Sequence, residues 1–143
     1  MIVVDTTVLV YFLGGEHPLR DPSRRFMAAV RAGRLQATTT VEVIQELAHV
    51  RSRRHPRAEV VRQARNFARF LAPLLRPTAE DLSHGLSLFE AHRELGAFDA
   101  VLAAAAIGRG AEALVSADRA FAAVGGLRHV DPGSPELAAL FDT

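Results

Sequence analysis

The sequence predicts an α/β fold in which a short parallel β-sheet is covered on both faces by helices. Short runs of β-branched and other apolar residues recur along the chain, which is typical of buried parallel strands. Strand-like and helix-like segments alternate, as they do where helices connect parallel strands. With 143 residues, 49% of them hydrophobic, the chain is long enough to bury one continuous core. We therefore expect a single domain over residues 1–143.

The first elements are a strand, two helices and a second strand. Ile2 to Val4 predicts a buried strand, and a helix follows from about Thr7 to Leu13. Asp21-Pro22 predicts the start of the next helix, because Asp is a favoured N-cap and Pro fits the first helical position. Gly33 ends that helix, and Leu35 to Thr38 predicts the second strand.

The middle of the chain is predicted to be helical. Thr39 or Thr40 caps a helix that runs to about Arg53. After Pro56 the apolar positions of the next helix recur at i, i+4, i+7 and i+11. These positions are Val60, Ala64, Phe67 and Leu71.

Two further helices and two short strands complete the prediction. A helix over about Ala79 to Leu95 carries the apolar residues Leu82, Leu86 and Phe89. Asp99 opens the helix Ala100 to Gly108, which is apolar on every side and is therefore expected in the core. The remaining elements are a strand at Leu114 to Ser116, a helical turn at Arg119 to Ala123, a strand at Arg128 to Val130, and a short helix within Pro132 to Thr143.

Four acidic residues lie at the ends of these elements: Asp5, Glu46, Asp99 and Asp118. Asp5 and Asp118 directly follow strands, whose carboxyl ends border the ligand crevice of an open parallel sheet. Carboxylates gathered on an apolar scaffold repel one another, so a compensating Mg²⁺ or Mn²⁺ is expected. For Asp5, Asp99 and Asp118 taken singly, helix capping is a better-supported function than metal binding. The group as a whole predicts a metal site.

Polar neighbours of these acids can support such a site. Thr6, Thr7 and Ser116 can hydrogen-bond metal-ligating carboxylates or metal-bound water, although capping and turn functions suit them as well. Glu42 lies one helical turn before Glu46 on nearly the same face. Periodicity alone therefore leaves open which of the two glutamates faces the crevice.

Composition excludes several kinds of chemistry. The sequence contains no Cys, which excludes disulfides and thiolate zinc ligands and fits a reducing cytoplasm. It contains no Lys, which excludes Schiff-base catalysis and a Gly-Lys-Ser/Thr phosphate loop. The apolar start is too short for a secretory signal, and we expect no membrane association.

A basic segment suggests a polyanionic partner. Arg51 to Arg76 contains eight Arg and one acid, Glu59. Arg is well suited to phosphate contact, so Arg51, Arg53 and Arg54 are candidate RNA-binding residues. A solvated helix face is the simpler interpretation of the same pattern.

Four motifs in order make the chain resemble the PIN-domain ribonucleases, and among them the VapC-type toxins of bacterial toxin-antitoxin pairs. The motifs are Val3-Val4-Asp5-Thr6-Thr7-Val8-Leu9, Thr39-Thr40-Val41-Glu42-Val43-Ile44-Gln45-Glu46-Leu47, Ala97-Phe98-Asp99-Ala100-Val101-Leu102-Ala103-Ala104 and Leu114-Val115-Ser116-Ala117-Asp118-Arg119-Ala120-Phe121. The chain departs from the usual pattern at Thr7, where the family often has Ser or Asn, and in having Glu42 as an extra acid.

The resemblance implies an activity, a site and partners. It implies Mg²⁺-dependent or Mn²⁺-dependent hydrolysis of RNA by a catalytic quartet of Asp5, Glu46, Asp99 and Asp118. Asp5, Asp99 and Asp118 would bind the metal, and Glu46 is preferred to Glu42 because Leu47 and Thr39-Thr40 occupy the family's flanking positions. It also implies a small VapB-like antitoxin and a homodimer.

Two other interpretations use the same residues differently. A phosphatase could use Asp5 as its nucleophile, but Thr7 stands where such a site would need a second Asp. The non-enzymatic alternative is an RNA-binding or protein-interaction module, in which the Arg-rich face binds and the acids cap helices. This alternative predicts no metal dependence.

Overall fold

Four parallel strands form the centre of the fold in a computed structural model that describes residues 1–142. The strands are β1 (Ile2–Val4), β2 (Ala37–Thr38), β3 (Ala113–Val115) and β4 (His129–Val130). Their order in the sheet is β2-β1-β3-β4, and every neighbouring pair is parallel. β1 is therefore an inner strand, with Val4 opposite Val115 of β3. The predicted α/β fold with a short parallel sheet is confirmed.

Helices make up most of the rest of the described residues. They are α1 (Thr6–Leu13), α2 (Arg20–Arg31), α3 (Val41–Arg51), α4 (Arg57–Phe70), α5 (Ala79–Ala91), α6 (Ala97–Gly108), α7 (Glu136–Ala139) and a short 3₁₀ helix (Arg119–Ala123). α7 confirms the short helix predicted for the tail, while Thr143 lies outside the described residues. Among residues 1–142, none of the helices combines the length and the apolar character that a bilayer crossing requires.

The hydrophobic core surrounds the sheet. All three residues of β1 and all three of β3 are buried, as expected where helices cover both faces of a parallel sheet. Phe26 of α2 and Leu47 of α3 are fully buried beside them. The apolar stripe predicted for α4 is also buried, from Val60 to Leu71. The core thus fixes the strand ends from which the candidate site is built.

Two helices begin earlier than the sequence predicts. α2 begins at Arg20 after Leu19, because a turn closed by the Arg20 N–H on the His17 carbonyl continues directly into the helix. Asp21 is consequently in the first turn, and its prediction as N-cap was wrong. α6 begins at Ala97 with Gly96 at the N-cap, so Asp99 is its third residue and does not open it.

The apolar face predicted for α5 is turned toward solvent. Leu82, Leu86 and Phe89 are each about half exposed. α5 instead packs on α6 through Gly85, where an added Cβ would lie 2.8 Å from the Cα of Val101. This close approach rotates the leucines out of the core and leaves an apolar surface on the outside of the α5–α6 pair.

Candidate active site

Asp5 is the most deeply buried acid of the predicted quartet. It directly follows β1 and is only 3% exposed. Its Oδ2 accepts hydrogen bonds from Ser116 Oγ at 2.6 Å and from Thr7 Oγ1 at 3.0 Å. It stands at the N-cap position of α1, yet its side chain makes no capping hydrogen bond. The carboxylate is therefore directed to the neighbouring strand end.

The end of β3 is linked to the same group of side chains. The Asp5 N–H donates to the Val115 carbonyl, which holds the two strand ends together. Ser116 Oγ also accepts the Asp118 N–H at 3.0 Å, and Thr7 Oγ1 accepts the Ala117 N–H at 3.0 Å. Thr7 and Ser116 thus connect Asp5 with the loop that carries Asp118.

Asp118 combines a capping function with its place at the site. Its Oδ1 accepts the Ala120 N–H at 2.9 Å, so it caps the 3₁₀ helix as the capping interpretation expected. Only one carboxylate oxygen takes part in that bond. The side chain is partly buried and close enough to Asp99 for its charge to act on it.

Glu46 is brought to the site by helix α3. Thr40 caps this helix by accepting the Val43 N–H at 3.2 Å, and buried Thr39 donates to the Val4 carbonyl at 2.6 Å. Thr6 Oγ1 donates to Glu46 Oε2 at 2.7 Å. Glu42, one turn earlier, does not share this bond, although both glutamates are exposed and line the same groove. The Thr6 hydrogen bond thus distinguishes Glu46 from Glu42, which helical periodicity alone does not.

Electrostatics tie the four acids into one group. Burial is the main cause that raises the pKa of Asp99 to about 7, and the charges of Asp5, Glu46 and Asp118 raise it further. Burial also raises the pKa of Asp5, against the opposing effect of the Ser116 and Thr7 hydrogen bonds. The structure therefore brings together all four predicted acids as mutually repelling charges.

The chemistry of these donors suits a hard divalent cation. Among residues 1–142, no three acidic or histidine side chains stand in an arrangement that would by itself hold a metal ion. The oxygens nevertheless come from four separate elements, and Mg²⁺ and Mn²⁺ prefer oxygen ligands. A cation would also relieve the repulsion that raises the pKa of Asp99. The residues present therefore fit such a group in the chemistry of their donors, and a bound ion would require the carboxylates to draw closer together.

A groove of about 520 Å³ opens beside two of the acids. Glu46 and Asp99 line it together with a third acid, Glu42, and most of the remaining lining comes from the apolar side chains of α5 and α6. Asp118 borders a separate depression of about 560 Å³ together with His92 and Arg93. The groove has the size of ordinary ligand pockets. We call it the α5–α6 groove, defined by Leu82, Leu86, Phe98, Val101, Glu46 and Asp99.

The candidate RNA-binding arginines differ in their surroundings. Arg51 is buried, with 9% exposure, and its Nε lacks a hydrogen-bond partner among the described residues. Arg53 and Arg54 are exposed. The prediction of a basic surface thus holds for the latter two, while Arg51 does not lie on it. Charge pattern could not reveal this, because Arg51 is one turn after buried Leu47 on the same face of α3.

Two residues near the site were not singled out from the sequence. His129 of β4 donates from Nε2 to the Ser116 carbonyl at 2.8 Å and stacks on Phe121, so it supports the strand end that carries Ser116. Phe98 precedes Asp99 and is 81% exposed in the groove. An aromatic residue next to a site acid was the available signal for Phe98. No spacing pattern pointed to His129.

Comparison with known proteins agrees with this geometry. The family model described as "PIN domain" matches residues 2–127. The chain is 49% identical to ribonuclease VapC7 of Mycobacterium tuberculosis, over 98% of this chain and 97% of the relative. It is 32% identical to ribonuclease VapC23 of the same species, over 85% of this chain and 96% of the relative. The chain belongs to the PIN-domain family, and within it to the VapC type.

Proposed function

We propose that the chain is an endoribonuclease that requires Mg²⁺ or Mn²⁺ and acts as the toxin of a bacterial toxin-antitoxin pair. The observation that carries the proposal is that four carboxylates, from the ends of β1 and β3 and from α3 and α6, lie close enough for the charges of Asp5, Glu46 and Asp118 to add to burial in raising the pKa of Asp99. Support also comes from the two VapC relatives, both of which are named ribonucleases.

Asp5, Asp99 and Asp118 are the proposed metal ligands. When bound, a divalent ion lowers the pKa of a water molecule and neutralises charge that develops on the phosphate during hydrolysis. The hydrogen bonds from Ser116 and Thr7 already hold the Asp5 carboxylate in place. Asp118 has a carboxylate oxygen that does not take part in the bond to Ala120. The partly buried Asp99 is the ligand whose ionisation would gain most from a nearby cation.

Glu46 is proposed to orient the attacking water or to bind metal itself. The Thr6 hydroxyl fixes Oε2 and leaves Oε1 for either function. Thr6, Thr7 and Ser116 would act by holding carboxylates in place, as hydrogen-bonded neighbours of metal ligands commonly do. Glu42 lies outside this network and is given no catalytic function, although it lines the outer part of the groove.

The partners follow from the proposed function. RNA is the substrate, and exposed Arg53 and Arg54 supply positive charge that suits its phosphates. A VapB-like antitoxin and a homodimer are proposed from the family, with action in the cytoplasm. In cells, expression of the chain alone should arrest growth, and Asp5→Asn should relieve the arrest.

The test compares purified variants on a single-stranded RNA with Mn²⁺, Mg²⁺ or EDTA. Wild type should cleave only with a divalent ion, while Asp5→Asn and Asp99→Asn should lose cleavage and keep the wild-type circular dichroism spectrum. Asp21→Asn is the matched control, since this carboxylate is 84% exposed on α2. Cleavage that survives in both site variants, or in EDTA, would favour the non-catalytic RNA-binding alternative or a contaminating nuclease.

A further inference from the structure

The α5–α6 groove is lined mostly by apolar side chains, together with three acids. Leu82 and Leu86 of α5 are 50% and 52% exposed, and Phe98 of α6 is 81% exposed. Val101 and Leu102 follow Phe98 at i+3 and i+4, so they lie on its side of α6. Large apolar side chains with this exposure in one groove mark a binding surface.

The two threonine hydroxyls that line the groove are already engaged, and the other polar side chains of the lining are the carboxylates of Glu42, Glu46 and Asp99. Thr40 Oγ1 accepts the Val43 N–H, and Thr78 Oγ1 accepts the Asp81 N–H in a capping box. Arginine is missing from the lining of the groove among the described residues, so phosphate has no cationic partner there. An uncharged, flat, apolar group therefore suits the groove better than a phosphate does.

Phe98 is placed to hold such a group next to the reacting atoms. It is the residue before Asp99 in α6, which puts their Cα atoms about 3.8 Å apart. Both residues line the same groove, so a base next to a phosphate held at Asp99 would lie within reach of Phe98. Unpaired bases are commonly bound by stacking on exposed aromatic side chains.

We propose that Phe98 stacks on an unpaired base next to the scissile phosphate, with Leu82 and Leu86 forming the opposite wall. The inference rests on the proposed nuclease function and adds to it a substrate-positioning residue, Phe98. The base is held by its face, through apolar contact with Phe98 and the two leucines. A base that is paired in a duplex would be excluded.

The experiment uses one single-stranded RNA whose cleavage site has been mapped with wild-type protein, together with versions that lack the base at one position near the cut. Phe98→Ala should raise KM by about 5-fold to 100-fold, as expected for the loss of one base stack. Phe98→Tyr should restore the wild-type KM. Phe89→Ala is the matched control, because Phe89 is 47% exposed on α5 but does not line the groove.

The decisive readout combines protein and substrate changes. Removal of the stacked base from the RNA should raise the KM of wild type and of Phe98→Tyr. It should not raise the KM of Phe98→Ala any further, because that variant already lacks the same contact. Equal effects of base removal on wild type and Phe98→Ala would overturn the inference. A Phe98→Ala protein that becomes monomeric in light scattering, with equal loss on every substrate, would also overturn it and assign the groove to a second copy of the chain.

Failure of this inference can be told apart from failure of the proposed function. If wild type cleaves RNA with a divalent ion and Phe98→Ala behaves like Phe89→Ala, only the stacking inference falls. If wild type cleaves no RNA with any divalent ion, the nuclease proposal falls and the stacking inference falls with it.

Discussion

The Thr6 hydroxyl donates a 2.7 Å hydrogen bond to Glu46 Oε2 and so joins the first residue of α1 to the middle of α3. The bond links two positions forty residues apart. It also distinguishes Glu46 from Glu42, which lies on nearly the same helical face but has no part in this contact. The orientation of Glu46 therefore depends on the end of β1 as well as on its own helix.

The two glutamates should differ sharply when each is neutralised. Glu46→Gln should reduce metal-dependent RNA cleavage by about 100-fold or more, in the range typical of a positioned acid or base. Glu42→Gln should keep activity within about twofold of wild type, because exposed Glu42 lies outside the charge-coupled group. Single-turnover cleavage rates measure both effects. Loss of activity in Glu42→Gln alone would reverse the assignment.

Removal of the Ser116 hydroxyl should weaken metal binding. Ser116→Ala deletes the 2.6 Å donor to Asp5 and the acceptor of the Asp118 N–H, so both carboxylates become less well held. We expect Mn²⁺ affinity to fall by about 10-fold to 100-fold, as is usual when a hydrogen-bond partner of a ligand is lost. Isothermal titration with Mn²⁺ measures this change.

The control for that variant is Ser87→Ala. Ser87 is an exposed serine of α5 that bonds only to a carbonyl of its own helix. It should bind Mn²⁺ as wild type does. Equal affinity in wild type and Ser116→Ala would show that the hydroxyl does not order the site.

Asp99 should make the metal-free protein less stable as the pH rises. Its folded pKa of about 7 exceeds the unfolded value of about 3.9, so the folded state binds the proton more tightly. The contribution of protonated Asp99 to the free energy of unfolding is fully present below pH 4, and it is lost as the pH rises toward 7 and above. Asp99→Asn removes the cost of ionising a buried carboxyl. It should therefore increase the free energy of unfolding at pH 8 by on the order of 1 kcal/mol, a figure reduced for partial solvent screening.

Urea unfolding of wild type and Asp99→Asn at pH 5 and pH 8, in EDTA, measures the difference. The advantage of the variant should be larger at pH 8. Mn²⁺ should raise the midpoint of wild type and leave Asp99→Asn nearly unchanged, because ligand binding stabilises only the protein that binds. The prediction would be contradicted if the difference in urea midpoint between Asp99→Asn and wild type were the same at pH 8 as at pH 5.

Gly85 should be intolerant of even one methyl group. Gly85→Ala places a Cβ 2.8 Å from Val101 Cα, a contact that requires α5 and α6 to move apart. We expect a loss of about 1 to 3 kcal/mol of unfolding free energy, typical of overpacking. Gly15→Ala is the control, since a Cβ there meets nothing within 4 Å. Equal urea midpoints for the two variants would show that the helix pair separates at little cost.

The fold could be predicted largely from local patterns, whereas parts of the site could not. The strands could be predicted from the sequence, and so could the position of Asp5 and Asp118 after them. The reason is that a buried parallel strand and the polar residue at its end are adjacent in sequence. The exposure of Leu82 and Leu86 was not readable, because it follows from the Gly85–Val101 approach between two helices. Arg51 was misplaced for a different reason: the charge pattern suggested an exposed residue, whereas Arg51 lies one turn after Leu47 on the covered face of α3.

The inner position of β1 has a consequence for synthesis. Asp5 follows β1, whereas Ser116, which hydrogen-bonds its carboxylate, follows β3 more than a hundred residues later in the chain. Such non-local pairing closes late in folding. A nascent chain in which β3 has not yet paired with β1 lacks the Ser116 contact that orders Asp5, so the candidate site is assembled only after the non-local part of the sheet has formed.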